Sequence, residues 1–365
     1  MDFFQTTVSK KAITLAKKSL DSTFLSAGKV TIEFEKELEK RIGVKNSVSL
    51  NSGTSSLHLG LHLMNLKKGD EVILPAQTFL ASGLTILMTG ATPVFCDIDY
   101  LTGNICTKSL VEKITTKTKA IMPIHYGGLP ADLNEITKIA KQNNLKVIED
   151  AAHALGSTYH GKPIGSISDF TAFSFQAIKQ VTAGDGGALC CKRISDYKRA
   201  KRLRWFGIDR EASKVSILGE RVFEVNELGF KYHMNDLAAS IALGNLSSYS
   251  SRLKRVRSIA RKYTKELKTV SGVQLLETKK DRENSYWLFT LLVENRENFI
   301  KRMLDKKIPV SVVHQGIDRF QVFGGKIKSH INQRKFDENQ ICIPIHSGLT
   351  NNDVSSVIKA VKEGW

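Results

Sequence analysis

Between residues 47 and 150 short apolar, β-branched runs alternate with helical patterns, and this rhythm constrains the fold of the 365-residue chain more than any other feature. The runs are "SVSL" (47–50), "EVILP" (71–75), "TPVFCDI" (92–98), "KAIMPIH" (119–125) and "KVIED" (146–150). Helical patterns such as "SSLHLGLHLMNL" (55–66) and "DLNEITKIAKQNN" (132–144) fall between them. Strand, helix and strand in repetition demand crossover connections. The expected architecture is therefore α/β, a mostly parallel sheet with helices on both faces. After a long helical region ending near Leu267 the order becomes "SYWLFTLLVE", helix "ENFIKRMLDKK", strand "PVSVVH" and a last helix. That helix opens on "TNNDV", where Thr350 and Asp353 have capping-box spacing. A large domain over 1–245 and a small α/β domain over 246–365, joined by a long helix, are the expected units.

Lysines and arginines number 54 against 36 acidic residues, a formal charge of +18. Such a balance attracts anions of any size, from nucleic acid to small phosphates. The basic residues are spread over nearly every helical segment, and the densest run, "SRLKRVRSIARKYTKELK" (251–268), carries apolar residues at helical spacing. An amphipathic helix with a solvated basic face is the expectation, and neither nucleic acid nor membrane is expected as a partner. No uninterrupted apolar stretch is long enough to span a bilayer, and "MDFFQTTVSKKAITLAKK" lacks a signal-peptide pattern, so a cytoplasmic protein is expected. The five cysteines, Cys96, Cys106, Cys190, Cys191 and Cys342, have neither metal-ligand spacing nor an even count. Reduced thiols and no metal site follow.

In a parallel sheet ligands bind beyond the carboxyl ends of the strands. Three such places carry chemistry. After "SVSL", Asn51-Ser52-Gly53-Thr54-Ser55 opens a helix, which offers free N–H groups to an anion or makes an ordinary hydroxyl cap. After "KVIE" comes Asp150, a carboxylate that needs a cationic partner if buried and is otherwise a turn residue. After "DFTAFSF" comes Lys179, ahead of "AGDGGALCC". A desolvated lysine there loses proton affinity and becomes a nucleophilic amine, able to form a Schiff base. Phosphate cradle, carboxylate and lysine together match the needs of pyridoxal 5'-phosphate (PLP).

The stretches "NSGTSSLHLGLHLMNLKKGDEVILPAQTFLAS", "GATPVFCDID", "VIEDAAHALGSTYHGKPIGSISDFTAFSF", "KQVTAGDGG" and "GFKYHMNDLAASIALGNL" resemble, in the same order, the DegT/DnrJ/EryC1/StrS nucleotide-sugar aminotransferases. The resemblance extends to "SAGKVTIEFEKELEKRIG" and "IPIHSGLTNNDVSSVIKAV", so it covers nearly the whole chain. It implies the aspartate-aminotransferase type fold (PLP fold type I), a homodimer, and a site at the subunit interface. By the same resemblance Lys179 holds the cofactor and shuttles the proton of transamination, with pyridoxamine phosphate as the cofactor's alternate form, while Asp150 keeps the pyridine nitrogen protonated. His153 stands where the ring oxygen is hydrogen-bonded, Phe79 where an aromatic stacks on the ring, and Ser174, Gly53 and Thr54 where the phosphate is held. Relatives read Gly-aromatic-Asn-Tyr-Arg-Met where this chain has Gly229-Phe230-Lys231-Tyr232-His233-Met234. That Asn reaches the partner subunit's phosphate, so either Lys231 or Asn235 is the implied substitute.

The implied substrates are glutamate and a keto sugar linked to a nucleoside diphosphate. "EDAAHALGSTY" and "TAGDGG" resemble members that aminate C4 of a 4-keto-6-deoxyhexose more than the C3 group. Candidate substrate contacts are Ser26, Gly28, Lys29 and His314. Two rival readings stand beside this one. A sugar dehydratase of the same fold has histidine in place of the Schiff-base lysine, which Lys179 argues against. A non-catalytic regulator would need nucleic-acid features that the chain lacks.

Overall fold

The computed structural model describes residues 1–210 and 212–365. Seven strands form the central sheet: β1 (Ser47–Leu50), β2 (Glu71–Pro75), β3 (Thr92–Cys96), β4 (Thr118–Ile121), β5 (Lys146–Asp150), β6 (Phe170–Ser174) and β7 (Gly187–Cys191). Their spatial order is β1-β7-β6-β5-β4-β2-β3. The β2–β3, β2–β4, β4–β5 and β5–β6 pairs are parallel, whereas β7 runs antiparallel to both β6 and β1. The sheet is thus mixed and mostly parallel, the expected α/β type. Burial on both faces explains why the strands read as continuous apolar runs. On β5, Val147 packs with Ile136 and Ile73 on one side, and Ile148 with Leu57 and Leu189 on the other.

The helices before and around this sheet are α1 (Lys10–Asp21), α2 (Lys29–Ile42), α3 (Gly53–Leu63), α4 (Leu80–Met88), α5 (Thr107–Glu112), α6 (Leu133–Gln142), α7 (Ile194–Leu203) and α8 (Asp236–Leu246). Helix α3 is buried over almost its whole circumference, and Gly60 lets it approach the sheet: a Cβ there would meet Ile148 Cδ1 at 2.5 Å. Next comes α9 (Tyr249–Leu267), whose buried Ile259, Ala260, Tyr263 and Leu267 recur at helical spacing under a basic outer face, as its sequence predicts.

The C-terminal part holds an antiparallel sheet of β8 (Val273–Leu275), β9 (Phe289–Val293) and β10 (Gln340–Ile343), with α10 (Arg296–Asp305), α11 (Ile331–Asn339) and α12 (Asn351–Lys362). Tyr263 of α9, Leu291 of β9 and Val357 of α12 share one apolar cluster. The Thr350–Asp353 capping box forms as expected. The expected strand "PVSVVH" does not. Only Ser311 bridges Cys342, and the backbone beyond turns to side chains instead: the His314 carbonyl accepts from Gln77 Nε2 (2.9 Å) and Gln340 Nε2 (2.8 Å). Likewise "SYWLFTLLVE" pairs only from Phe289 onward, because Tyr286 adopts φ 50° and swings Trp287 out of the ladder. Among the described residues no helix is long and apolar enough to cross a membrane.

Candidate active site

Strand ends β1, β5 and β6 deliver the three predicted elements to one edge of the sheet. At β1, Ser52 caps α3 by accepting from Ser55 N, which leaves the Gly53 and Thr54 N–H groups without an acceptor among the described residues. Gly53 lies against Ser174 at the end of β6: a Cβ on Gly53 would stand 2.8 Å from Ser174 Cβ. Helix N-terminus and hydroxyl are therefore adjacent, a donor-rich pair of the kind that suits a phosphate.

Asp150 ends β5 and is 6% exposed. Its Oδ1 accepts from Ala152 N (3.1 Å) and its Oδ2 from Ser82 Oγ (2.7 Å), and Ser82 Oγ lies 2.7 Å from Thr78 Oγ1. This hydroxyl chain and the backbone N–H hold the carboxyl group in one orientation. Lys179 belongs to the turn after β6, and burial pushes its pKa down to about 7 against the opposing pull of Asp150. Near neutral pH a large share of the amine is thus free to act as nucleophile or base.

His153 is 4% exposed and its Nδ1 has no partner among the described residues. Burial, then the positive field of Lys179, holds it well below the usual histidine range, so the ring is neutral. His314 lies parallel to it at 5.4 Å (6°), and its pKa is likewise lowered, to about 4, by burial first and then Lys179. Phe79, at the N-cap of α4, is 57% exposed and stands 5.7 Å from His314. An exposed aromatic at a cleft is free to cover a flat ring.

The other candidates lie elsewhere. Gly28 N–H is bound to Asp236 Oδ1 (2.8 Å), which also takes Thr31 N and Thr31 Oγ1, so a buried carboxylate caps α2 there. Ser26 and Lys29 flank it, both exposed. The Phe230–His233 segment runs beside the end of β1, with Asn51 N donating to Tyr232 O (2.7 Å) and Asn51 Nδ2 to Lys231 O (3.3 Å). The Lys231 side chain is exposed, whereas the Asn235 carbonyl is occupied in capping α8 through Ala238 N. His233, where relatives carry Arg, packs on Trp205 (3.8 Å), and its pKa is lowered to about 4 by burial and then by Arg204 and Lys231. It is neutral at pH 7.

Three site residues escape sequence reasoning. Ser82 had a signal, since it lies one helical turn beyond Phe79. Gln180, which donates to His153 O (2.6 Å) and Ser285 Oγ (3.1 Å), and Trp287, whose ring lies 3.5 Å from Lys179 Nζ, had none.

The cleft fits PLP on its own geometry. A desolvated lysine, a buried carboxylate and two unpartnered imidazole nitrogens lie within one another's fields, and a donor-rich helix start lies against Ser174, at the end of the strand that leads to the lysine. PLP bound there supplies an aldehyde carbon and an electron-accepting ring. The sequence of residues 6–362 matches the profile of the DegT/DnrJ/EryC1/StrS aminotransferase family. Among its relatives, GDP-perosamine synthase of Escherichia coli O157:H7 is 31% identical over 99% of this chain and 96% of that protein. UDP-4-amino-4-deoxy-L-arabinose–oxoglutarate aminotransferase of Shewanella sediminis is 30% identical over 98% and 96%. Among solved structures, the sugar aminotransferase CalS13 of Micromonospora echinospora superposes with a TM-score of 0.95 at 32% identity, covering both chains in full. Spr1654 of Streptococcus pneumoniae, solved in a PLP form, gives 0.91 at 29% identity over 100% and 98% of the two chains. Sequence, fold and cleft together make this chain a PLP-dependent member of the DegT/DnrJ/EryC1/StrS aminotransferase family.

Proposed function

We propose that the enzyme moves an amino group from glutamate to the C4 ketone of a nucleotide-linked 4-keto-6-deoxyhexose, giving a 4-amino-4,6-dideoxy sugar nucleotide. The observation that carries the transamination is the Lys179 amine, with a pKa of about 7, in one cleft with the buried Asp150 carboxylate. Lys179 binds the cofactor through Nζ and, when released, takes and returns a proton on that atom. Asp150, steadied by Ser82, would hold the protonated ring nitrogen of the bound cofactor. His153 Nδ1 is reserved for the ring oxygen and Phe79 for the ring face. Gly53, Thr54 and Ser174 hold the phosphate. Ser26, Gly28, Lys29 and His314 are proposed substrate contacts. Of these, Gly28 has its N–H bound to Asp236 and its carbonyl accepting from Ile32 N–H (3.3 Å), so it has only Cα and the carbonyl's second lone pair to offer.

Support for C4 and for glutamate comes from the Shewanella sediminis relative, whose name carries both a 4-amino sugar and oxoglutarate, and from the motif resemblance around Asp150 and Gly184. A lysine at position 179 speaks against the dehydratase reading. A homodimer is part of the proposal. Ile217 and Leu218 at the tip of the hairpin formed by 214–215 and 221–222 are almost wholly exposed, as such side chains rarely are unless covered by a partner. A cytoplasmic setting accords with five unpaired thiols.

The direct test incubates the enzyme with glutamate and a nucleotide-linked 4-keto-6-deoxyglucose, and reads the product by nuclear magnetic resonance. Nitrogen on C4 is expected. Nitrogen on C3 of a 3-keto sugar, with no turnover of the 4-keto substrate, would overturn the C4 assignment while keeping the transaminase.

A further inference from the structure

The approach to β9 brings an aromatic side chain from the C-terminal part of the molecule into the site. Tyr286 sits at φ 50°, a conformation an aromatic residue rarely takes. Its neighbours are stitched to the large sheet's side of the cleft: Ser285 N donates to Ser157 Oγ (3.1 Å), Ser285 Oγ to His153 O (2.9 Å), and Leu288 N to Gly127 O (3.2 Å). Trp287, 5% exposed, donates Nε1–H to Ile178 O (3.0 Å), one residue before the lysine. Its ring lies 3.5 Å from Lys179 Nζ and stacks on the His153 imidazole at 3.9 Å (22°). Phe4 stacks on the same indole at 5.4 Å (20°). A backbone held in an uncommon conformation, with so many bonds committed to it, marks a side chain whose placement matters.

We propose that Trp287 is a positioning residue for the lysine: whenever Lys179 is not covalently engaged, its ammonium rests on the indole face, which keeps Nζ beside His153 and within the cleft. The inference rests on Lys179 being the reacting amine. An indole face attracts a cation most strongly where water is excluded. It therefore offsets part of the desolvation that pushes the amine down to about 7. Without the ring the ammonium form would be disfavoured further, and the long side chain would be free to sample rotamers away from the reacting carbon. The same indole also fixes the His153 plane, so one residue sets the geometry of two groups.

The charged and titratable groups facing this amine are Asp150 from β5, His153 after it and His314 from the segment between α10 and α11, with Arg252 and His346 on the adjoining wall. The test must separate Lys179 from these. A protonated amine on an indole quenches its emission, so in the cofactor-free full chain the fluorescence should change with pH in a step whose midpoint lies near 7. That step should vanish in Trp287→Phe and persist in His153→Asn and in His314→Asn. Lys179→Met releases both imidazoles from the field that lowers them, so the histidine variants are the discriminating ones: loss of the step in either, or a flat wild-type profile, would overturn the proposal. In a second arm, acylation of Lys179 is followed against pH by mass spectrometry of the full chain's peptides. Trp287→Leu should lower the midpoint by about 0.5–1.5 pH units. An unchanged or raised midpoint counts against the ring. If Trp287→Leu does not fold, the fluorescence arm still decides. Neither arm needs turnover, so this inference can fail while the aminotransferase reading stands. The product assay can fail while the indole contact stands.

Discussion

Desolvation around Nζ takes the Lys179 pKa from its usual value near 10.5 to about 7, and this ties the residue's chemistry to the stability of the fold. Between those two values the unfolded chain holds a proton that the folded chain does not. Stability attributable to this residue is therefore greatest above pH 10.5, falls as pH drops towards 7, and stays low below it. Replacing the amine with an apolar group of similar length removes the penalty. Lys179→Met, without cofactor, should be more stable than wild type at pH 7 by about 2–5 kcal/mol, with the gain shrinking towards zero near pH 10.5. Chemical denaturation at several pH values reads this directly, and the same variant should show no multiple turnover. A Lys179→Met chain no more stable than wild type at pH 7 would mean that water reaches the amine and that the site lacks its nucleophile in free form.

The same conflict appears one level up, in the elements that carry the site. Helix α3 begins where β1 ends, its first N–H groups are open as in any helix start, and Gly53 allows that start to press on Ser174. Gly53→Ala would set a Cβ 2.8 Å from Ser174 Cβ and 3.3 Å from its Cα, part of it backbone that cannot yield. The helix start must then back away. Cofactor affinity, measured by equilibrium dialysis, should fall about tenfold or more, with global stability changed by less than about 2 kcal/mol. Unchanged affinity would remove α3 from the phosphate site. Elements of this kind were legible in the sequence. "SVSL", "EVILP" and "KVIED" read as strands with the bounds observed, since each is short, apolar and buried on both faces. "PVSVVH" was not legible, although its composition is as strand-like. Its backbone is satisfied by the side chains of Gln77 and Gln340, residues far apart in sequence, and no local pattern encodes such a contact. Trp287 was illegible for a related reason: a left-handed Tyr286 breaks the two-residue alternation that would have placed it in the small core. Lys179, Asp150, Ser174 and Gly53 could be proposed from the sequence because they stand at strand ends, where topology converts sequence position into shared space, and His153 through the family resemblance.

At the scale of the whole molecule, the exposed apolar surface is what the proposed homodimer would have to cover. Ile217, Leu218 and Val215 project from the hairpin, and Ile13 on α1 and Ile32 on α2 are more than half or about half exposed. The proposed homodimer covers such surface and gives Lys231 a role. Its side chain is exposed and finds no acceptor among the described residues, whereas Asn235 has only its amide nitrogen left to offer. If one copy's cation anchors the phosphate held by the other, dimerisation and cofactor retention are linked, and each should respond to the other's disruption. Ile217→Asp with Leu218→Asp should shift the mass in light scattering from dimer towards monomer and lower cofactor affinity along with it. Lys231→Ala should keep the dimer mass yet weaken cofactor binding by about 1.5–3 kcal/mol, the range of a hydrogen bond to a charged group. Asn235→Ala would share that loss only if its amide reaches the same phosphate, and it should separately destabilise α8 by about 1 kcal/mol through the lost cap. A monomeric hairpin variant with wild-type cofactor affinity would place the whole anchor within one chain, in the Gly53, Thr54 and Ser174 cradle alone.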